Sequence, residues 1–141
     1  MKRGQAEKML SVLLFAVSLS AFATDWKPLV SLPPGDAFFA DIVYVDVKSI
    51  KAEGRLTGAM VMGDYAKYMP FGESGKSFRS FIAQFFIDCR ARKVGFREIT
   101  AFSESGGAGD VVNRETREFV PVSVQPGTLD EALYDFVCSR R

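Results

Sequence analysis

SFIAQFFIDCRAR, residues Ser80–Arg92, is the stretch whose reading decides the fold. Side chains two apart in a strand point the same way. Phe81, Ala83, Phe85, Ile87, Cys89 and Ala91 therefore share one face, and that face is wholly apolar. Ile82, Gln84, Phe86, Asp88, Arg90 and Arg92 share the other, which turns charged at its C-terminal end. Such a pattern predicts one long strand in the middle of a sheet, with a single face in the core.

Working outward, the neighbours read as strands too. Arg55–Asp64 places Leu56, Gly58, Met60 and Met62 on one side, and Lys93–Glu104 alternates again, with Gly95 a candidate bulge. Ala37–Asp46 centres on the β-formers Ile42-Val43-Tyr44-Val45. Asp46 is placed to cap the tight turn that follows, with Ile50 tucked back as an apolar plug and Glu53-Gly54 as the next reversal. Trp26–Leu32 is a short first strand, and Pro28 puts it at an edge because proline cannot donate to a ladder. Pro33-Pro34-Gly35-Asp36 is a turn, and Tyr65–Lys76 reads as a loop rich in aromatics and glycine. Val111–Val124 reads as a short strand, a polar excursion over Asn113–Glu118 and a final apolar stretch with Pro121 at an edge. One helix stands out. Thr128 and Glu131 form a capping box, and Leu129, Ala132, Leu133, Phe136 and Val137 make an apolar stripe. The expected fold is α+β: a sheet of about six antiparallel strands with one C-terminal helix on one face.

The first 23 residues read as a cleaved secretory signal rather than as part of the fold. Lys2, Arg3 and Lys8 precede an apolar run of 11 residues, Met9–Leu19, and Ala21 and Ala23 then suit a signal peptidase. The run is too short to span a bilayer, which takes about 20 residues. Cleavage after Ala23 leaves a single domain at 24–141. It also removes three of the 18 basic and one of the 17 acidic residues, so a net charge of +1 becomes −1. A near-neutral balance argues against nucleic acid and against attachment to anionic membrane.

Cys89 and Cys138 are the two cysteines. Export favours a bridge between them; two buried thiols are the other reading. A bridge would tie the helix's last turn to the long strand.

The chain has no histidine, which removes the commonest general base and zinc ligand. With the cysteines bridged, no thiolate remains for nucleophilic attack or metal binding. Gly72-Glu73-Ser74-Gly75-Lys76-Ser77 resembles a phosphate loop, but Pro70 stands where that motif needs glycine and no helix follows. Gly106-Gly107-Ala108-Gly109 lacks the spacing and setting of a dinucleotide fingerprint. Asp88, Glu98, Glu104, Asp110, Glu115 and Glu118 offer carboxylates for a hydrolase, but the interleaved Arg90, Arg92, Arg97 and Arg117 make salt bridges the simpler reading. No catalytic residue, cofactor or metal site is expected. Tyr65, Tyr68, Met69 and Phe71 are the candidate partner-binding residues, because aromatics and methionine are enriched at interfaces. The competing reading rolls them over one edge of the core.

Taken in order, Val43-Tyr44-Val45-Asp46, Ser49-Ile50, Ser80 ahead of Asp88-Cys89, the glycine-rich turn, and Pro126-Gly127-Thr128 before Leu133 and Cys138 resemble the surface-adhesin protein E family. The likeness runs from about Trp26 to Cys138. It implies a six-stranded antiparallel sheet whose C-terminal helix is held by a disulfide. It also implies non-enzymatic recognition of a protein partner, host matrix proteins among them, and homodimers. Asp46, Ser80, Cys89, Gly109, Pro126 and Cys138 match as structural residues, and no binding residue carries over. Residue 24 is not the lipid-bearing cysteine of a surface lipoprotein, so the expected location is the periplasm or the medium of a Gram-negative bacterium. The alternative function is a periplasmic small-ligand binder using the groove between helix and sheet, or an envelope-associated protein of unknown activity.

Overall fold

The computed structural model describes residues 23–29 and 40–140. The leader up to Phe22, the end of the Trp26–Leu32 strand, the Pro33–Asp36 turn and the start of the Ala37–Asp46 strand lie outside them. Eight strands form one antiparallel sheet: β1 (Trp26–Pro28), β2 (Ile42–Asp46), β3 (Lys51–Glu53), β4 (Leu56–Pro70), β5 (Ser77–Asp88), β6 (Lys93–Phe102), β7 (Val111–Thr116) and β8 (Val122–Ser123). Among the described residues one α-helix, α1 (Leu129–Cys138), follows. The order across the sheet is β1-β2-β4-β5-β6-β7, with β3 beside β4 and β8 beside β6. Among the described residues no helix is long and apolar enough to cross a membrane.

The predicted architecture holds, with eight strands in place of six because β3 and β8 are short pieces bordering reversals. Other departures have local causes. The long strand ends at Asp88, four residues early, because the Asp88 carboxylate accepts the Ala91 N–H at 2.9 Å and Arg92 adopts a left-handed φ of 53°. The polar residues Asn113–Thr116 belong to β7, since an edge strand open to solvent needs no apolar alternation. Gly95 is not the bulge. The register breaks at Arg97 instead, and Gly95 is required because a methyl there would lie 2.7 Å from the Phe119 ring. Pro121 stands just outside β8. Pro28 is in the edge strand, as its missing N–H dictates.

The helix docks on the predicted face. Val43, Val45, Ala59, Val61, Phe81, Ala83, Phe85, Ile87, Cys89 and Val94 pack with Leu129, Leu133 and Val137 into one core. The three helix residues are 0–2% exposed, worth about 1.5–3 kcal/mol of burial each. Thr128 Oγ1 accepts the Glu131 N–H at 3.3 Å, and the Glu131 carboxylate reaches back to the Gly127 N–H at 3.3 Å. Cys138 is bonded to Cys89, so the helix's last turn is covalently tied to the end of β5. Tyr134 reinforces the tie by donating its hydroxyl to the Cys89 carbonyl at 2.6 Å.

The face without the helix is partly covered by turns. Asp46 Oδ1 accepts the Lys48 and Asp25 N–H groups at 3.1 and 2.8 Å, holding the 3-10 turn Val47–Ser49. Ser49 in turn accepts the Met60 N–H at 2.8 Å, and Ile50 packs against the core. The fully buried Ser80 hydroxyl donates to the Glu104 carbonyl at 2.5 Å and accepts the Gly107 N–H at 2.9 Å, fastening the glycine-rich turn over Ile82. Phe119 lies on Phe86 with ring centroids 5.7 Å apart, and Arg97 stacks on both rings.

Candidate partner-binding surface

The segment Tyr65–Pro70 is strand, not loop. β4 outruns its neighbours. Its pairing with β2 stops at Asp64, whereas its pairing with β5 resumes at Met69↔Phe78 and Pro70↔Ser77. β6 joins β5 only from Ser80 onward. Residues 65–79 therefore form a two-stranded arm projecting from one end of the sheet. Its tip closes through Phe71 N–H to the Lys76 carbonyl at 2.9 Å and the Ser74 hydroxyl to the Phe71 carbonyl at 2.6 Å. Gly72 and Gly75 take φ of 54° and 75°, a conformation glycine adopts without steric penalty. The phosphate-loop lookalike is thus a hairpin tip followed by a strand.

A bulge between Asp64 and Met69 decides which way each aromatic points. The bulged backbone is satisfied by side chains rather than by a strand. Arg79 donates to the carbonyls of Tyr65 and Ala66, both at 3.2 Å, and Asp41 accepts the Ala66 N–H at 2.6 Å. Tyr65, one of the four candidate partner-binding residues, then turns inward toward the core. It is 9% exposed and packs edge-to-face on Phe78 at 5.4 Å and against Phe81 at 6.2 Å. Burial raises its phenol pKa, and the nearby Asp41 charge adds to the rise. Met69 is half-buried against the same core. Phe71 is half-buried at the arm's tip, edge-on to Phe78 at 6.4 Å.

Tyr68 turns outward and is 55% exposed. The Arg79 guanidinium sits 5.2 Å from its ring centroid, and its hydroxyl donates to Glu104 at 3.0 Å. An exposed aromatic is thus held in one orientation before any partner arrives. Nothing in the sequence singles out Arg79 or Asp41, and Glu104 stands out there only as a candidate hydrolase carboxylate. Arg79 stands two residues after Ser77, inside a strand, and nothing local marks it as the filler of a bulge on another strand.

The candidate carboxylates are dispersed. Glu98 faces Arg114 at 3.7 Å, Glu115 faces Arg117 at 2.7 Å, Asp88 faces Arg55 at 3.9 Å, and Glu104 serves Tyr68. None of these pairings forms a two-carboxylate cleft. Among the described residues no group of three histidine, cysteine or acidic side chains is placed to hold a metal ion. The groove between α1 and β1, about 460 Å³, is lined by Leu29, Ala132 and Phe136 but equally by Glu131, Asp135 and Arg140. That is not the apolar pocket a small-ligand binder builds.

Comparison with known proteins adds the lineage. Solved structures of Haemophilus influenzae protein E share the fold. One superposes with a TM-score of 0.57 at 16% identity, covering 69% of this chain and 76% of that one. A second crystal form gives 0.58 at 16% identity, covering 69% and 80%. The protein from a non-typeable strain gives 0.57 at 13% identity, covering 83% and 86%. Curated protein sequences provide no match. The family model described as surface-adhesin protein E matches residues 35–139. That span takes in the sheet from β2 onward, the projecting arm and the disulfide-tied helix, and the chain belongs to the surface-adhesin protein E family.

Proposed function

We propose that this chain is a non-enzymatic, exported adhesin-type binding domain that recognises a protein partner through its projecting arm, with Tyr68 and Phe71 as the contact residues. The observation that carries this reading is the orientation of Tyr68. A tyrosine backed by arginine and anchored through its hydroxyl presents a large contact area with little entropy left to lose, as interface hot spots do. Tyr65 at the arm's root and Met69 nearer its tip pack inward and act by supporting it. Export rests on the leader-like residues 1–23, which would deliver the domain to the periplasm or medium of a Gram-negative cell. Host matrix proteins are the first partners to test, because the family's description is that of a surface adhesin.

The test is crosslinking capture by the purified protein, against immobilised matrix proteins and periplasmic extract. Tyr68→Ser and Phe71→Ser together are expected to abolish capture; Tyr68→Ser alone should leave the melting temperature within about 2 °C, since exposed substitutions change stability by under about 0.5 kcal/mol, and the half-buried Phe71 accounts for any modest further fall. Undiminished capture by the double variant removes the arm from the interface. A large fall in melting temperature makes the two residues core.

A further inference from the structure

We propose that the end of the sheet opposite the arm is a second binding site, built on Arg55 and Arg90, for a sulfated polysaccharide. The pair Thr57↔Ile87 sets the β3–β4 turn at Gly54-Arg55 beside the β5–β6 turn at Cys89–Arg92. Arg55 and Arg90 consequently line one cavity of about 440 Å³, with Gly54, Asp88 and Ala91 completing its wall. Arg92 and Lys93 follow Arg90 along the chain, outside that lining.

The only carboxylate in that wall is already engaged. Asp88 is buried, with one oxygen on the Ala91 N–H and the other 3.9 Å from Arg55. Arg55 is 88% exposed, and Arg90 has no acidic partner within salt-bridge distance among the described residues. Guanidinium groups pair with tetrahedral and planar oxyanions through parallel N–H donors, so two of them across one cavity fit an ester oxyanion.

The turn is also held from several sides. Arg92 holds a left-handed φ of 53°, a conformation usually left to glycine or asparagine. Its guanidinium stacks on Tyr134 at 4.7 Å, its carbonyl accepts the Val124 N–H at 3.0 Å, and the adjoining Cys89 is bridged to the helix. Arg55 and Arg90 on one cavity, with Arg92 and Lys93 following along the chain, suit the closely spaced anions of a sulfated polymer, whose repeats multiply a weak contact. Membrane binding would call for aromatic or long apolar side chains beside the cations, and the neighbouring edge exposes only Val120 and Val122.

The proposal shares with the previous section only the premise of export; it does not use the arm. Its test is fluorescence anisotropy of labelled heparin oligosaccharide with the full chain from an exporting host. The exported chain has a net charge of −1, so attraction to a polyanion needs a local cationic cluster rather than overall charge. Expected are binding that weakens steeply with salt, a loss of at least about tenfold in Arg55→Gln/Arg90→Gln at unchanged melting temperature, and partial recovery in Arg55→Lys/Arg90→Lys. Tyr68→Ser should bind the oligosaccharide like the parent, which separates this site from the arm. The proposal is overturned by absent binding at low salt, by equal binding of desulfated heparin, or by an unaffected glutamine variant. Preferential binding to phosphatidylglycerol vesicles, lost in the same variant, would overturn it in favour of a lipid headgroup.

Discussion

Gly63→Ala tests how the arm is rooted in the core. Gly63 lies directly across from Phe81, and the phenyl ring rests on the glycine backbone. A methyl group at Gly63 would sit 2.2 Å from Phe81 Cε1, 2.5 Å from Cζ and 2.9 Å from Cδ1. Favourable carbon contacts begin near 3.5 Å, so the ring must move by about 1 Å or more. It has little room to do so, being 3% exposed and packed against Tyr65. Overpacking of this kind costs about 1–3 kcal/mol, and the stiffer unfolded chain of an alanine variant offsets about 0.4–1 kcal/mol. The net expectation is a loss of about 1–2 kcal/mol in urea unfolding. Phe81→Leu alone should also destabilise, by less than the about 3–5 kcal/mol typical of Phe→Ala. The decisive measurement is the double variant. If the clash is the cause, Gly63→Ala/Phe81→Leu should be at least about 1 kcal/mol more stable than the sum of the single losses predicts. Additivity within about 0.5 kcal/mol would refute the steric argument, because residues that do not touch behave that way.

Replacing both Cys89 and Cys138 by alanine opens a loop closed across 49 residues and should lower stability by about 4 kcal/mol on the chain-entropy model; a loss under about 1 kcal/mol in denaturant unfolding would show the tether to be dispensable. Ser80→Ala strips the Gly107 N–H and the Glu104 carbonyl of their shared partner, so a loss of about 1–3 kcal/mol is expected together with faster amide exchange at Gly107, and unchanged exchange would count against the link. Tyr65 has a raised phenol pKa, so the unfolded chain releases this proton first as pH rises. Its contribution to stability is intact below about pH 10 and should decline above it, and Tyr65→Phe should flatten that decline in melting scans from pH 8 to about pH 11.

The elements legible in the sequence are those whose determinants lie within a few residues. The alternation of Phe81 through Ile87, the Thr128–Glu131 capping box, the Asp46 cap and the edge proline Pro28 each follow from local geometry, and each stands where that geometry requires. The ordered set of motifs also sufficed to indicate the family that the match over residues 35–139 establishes. The arm is not legible there for the opposite reason. Whether Tyr65–Pro70 is strand or loop depends on β5 staying alongside it after β2 has ended, which is a matter of strand length elsewhere in the chain.

The sequence by itself determined that the chain builds a sheet with a single amphipathic helix, and which face of the central strand that helix covers. Periodicity encodes this, because burial of an apolar face is the same demand wherever the partner lies. Only the tertiary structure decided that Tyr65 faces the core and Tyr68 faces solvent, three residues apart on one strand. That choice is made by a bulge filled by Arg79 and Asp41, whose hydrogen bonds to its backbone exist only once three separate segments have met. The same holds for Arg55 and Arg90, which are distant in sequence and become neighbours because the register of β4 on β5 brings two turns to one end of the sheet.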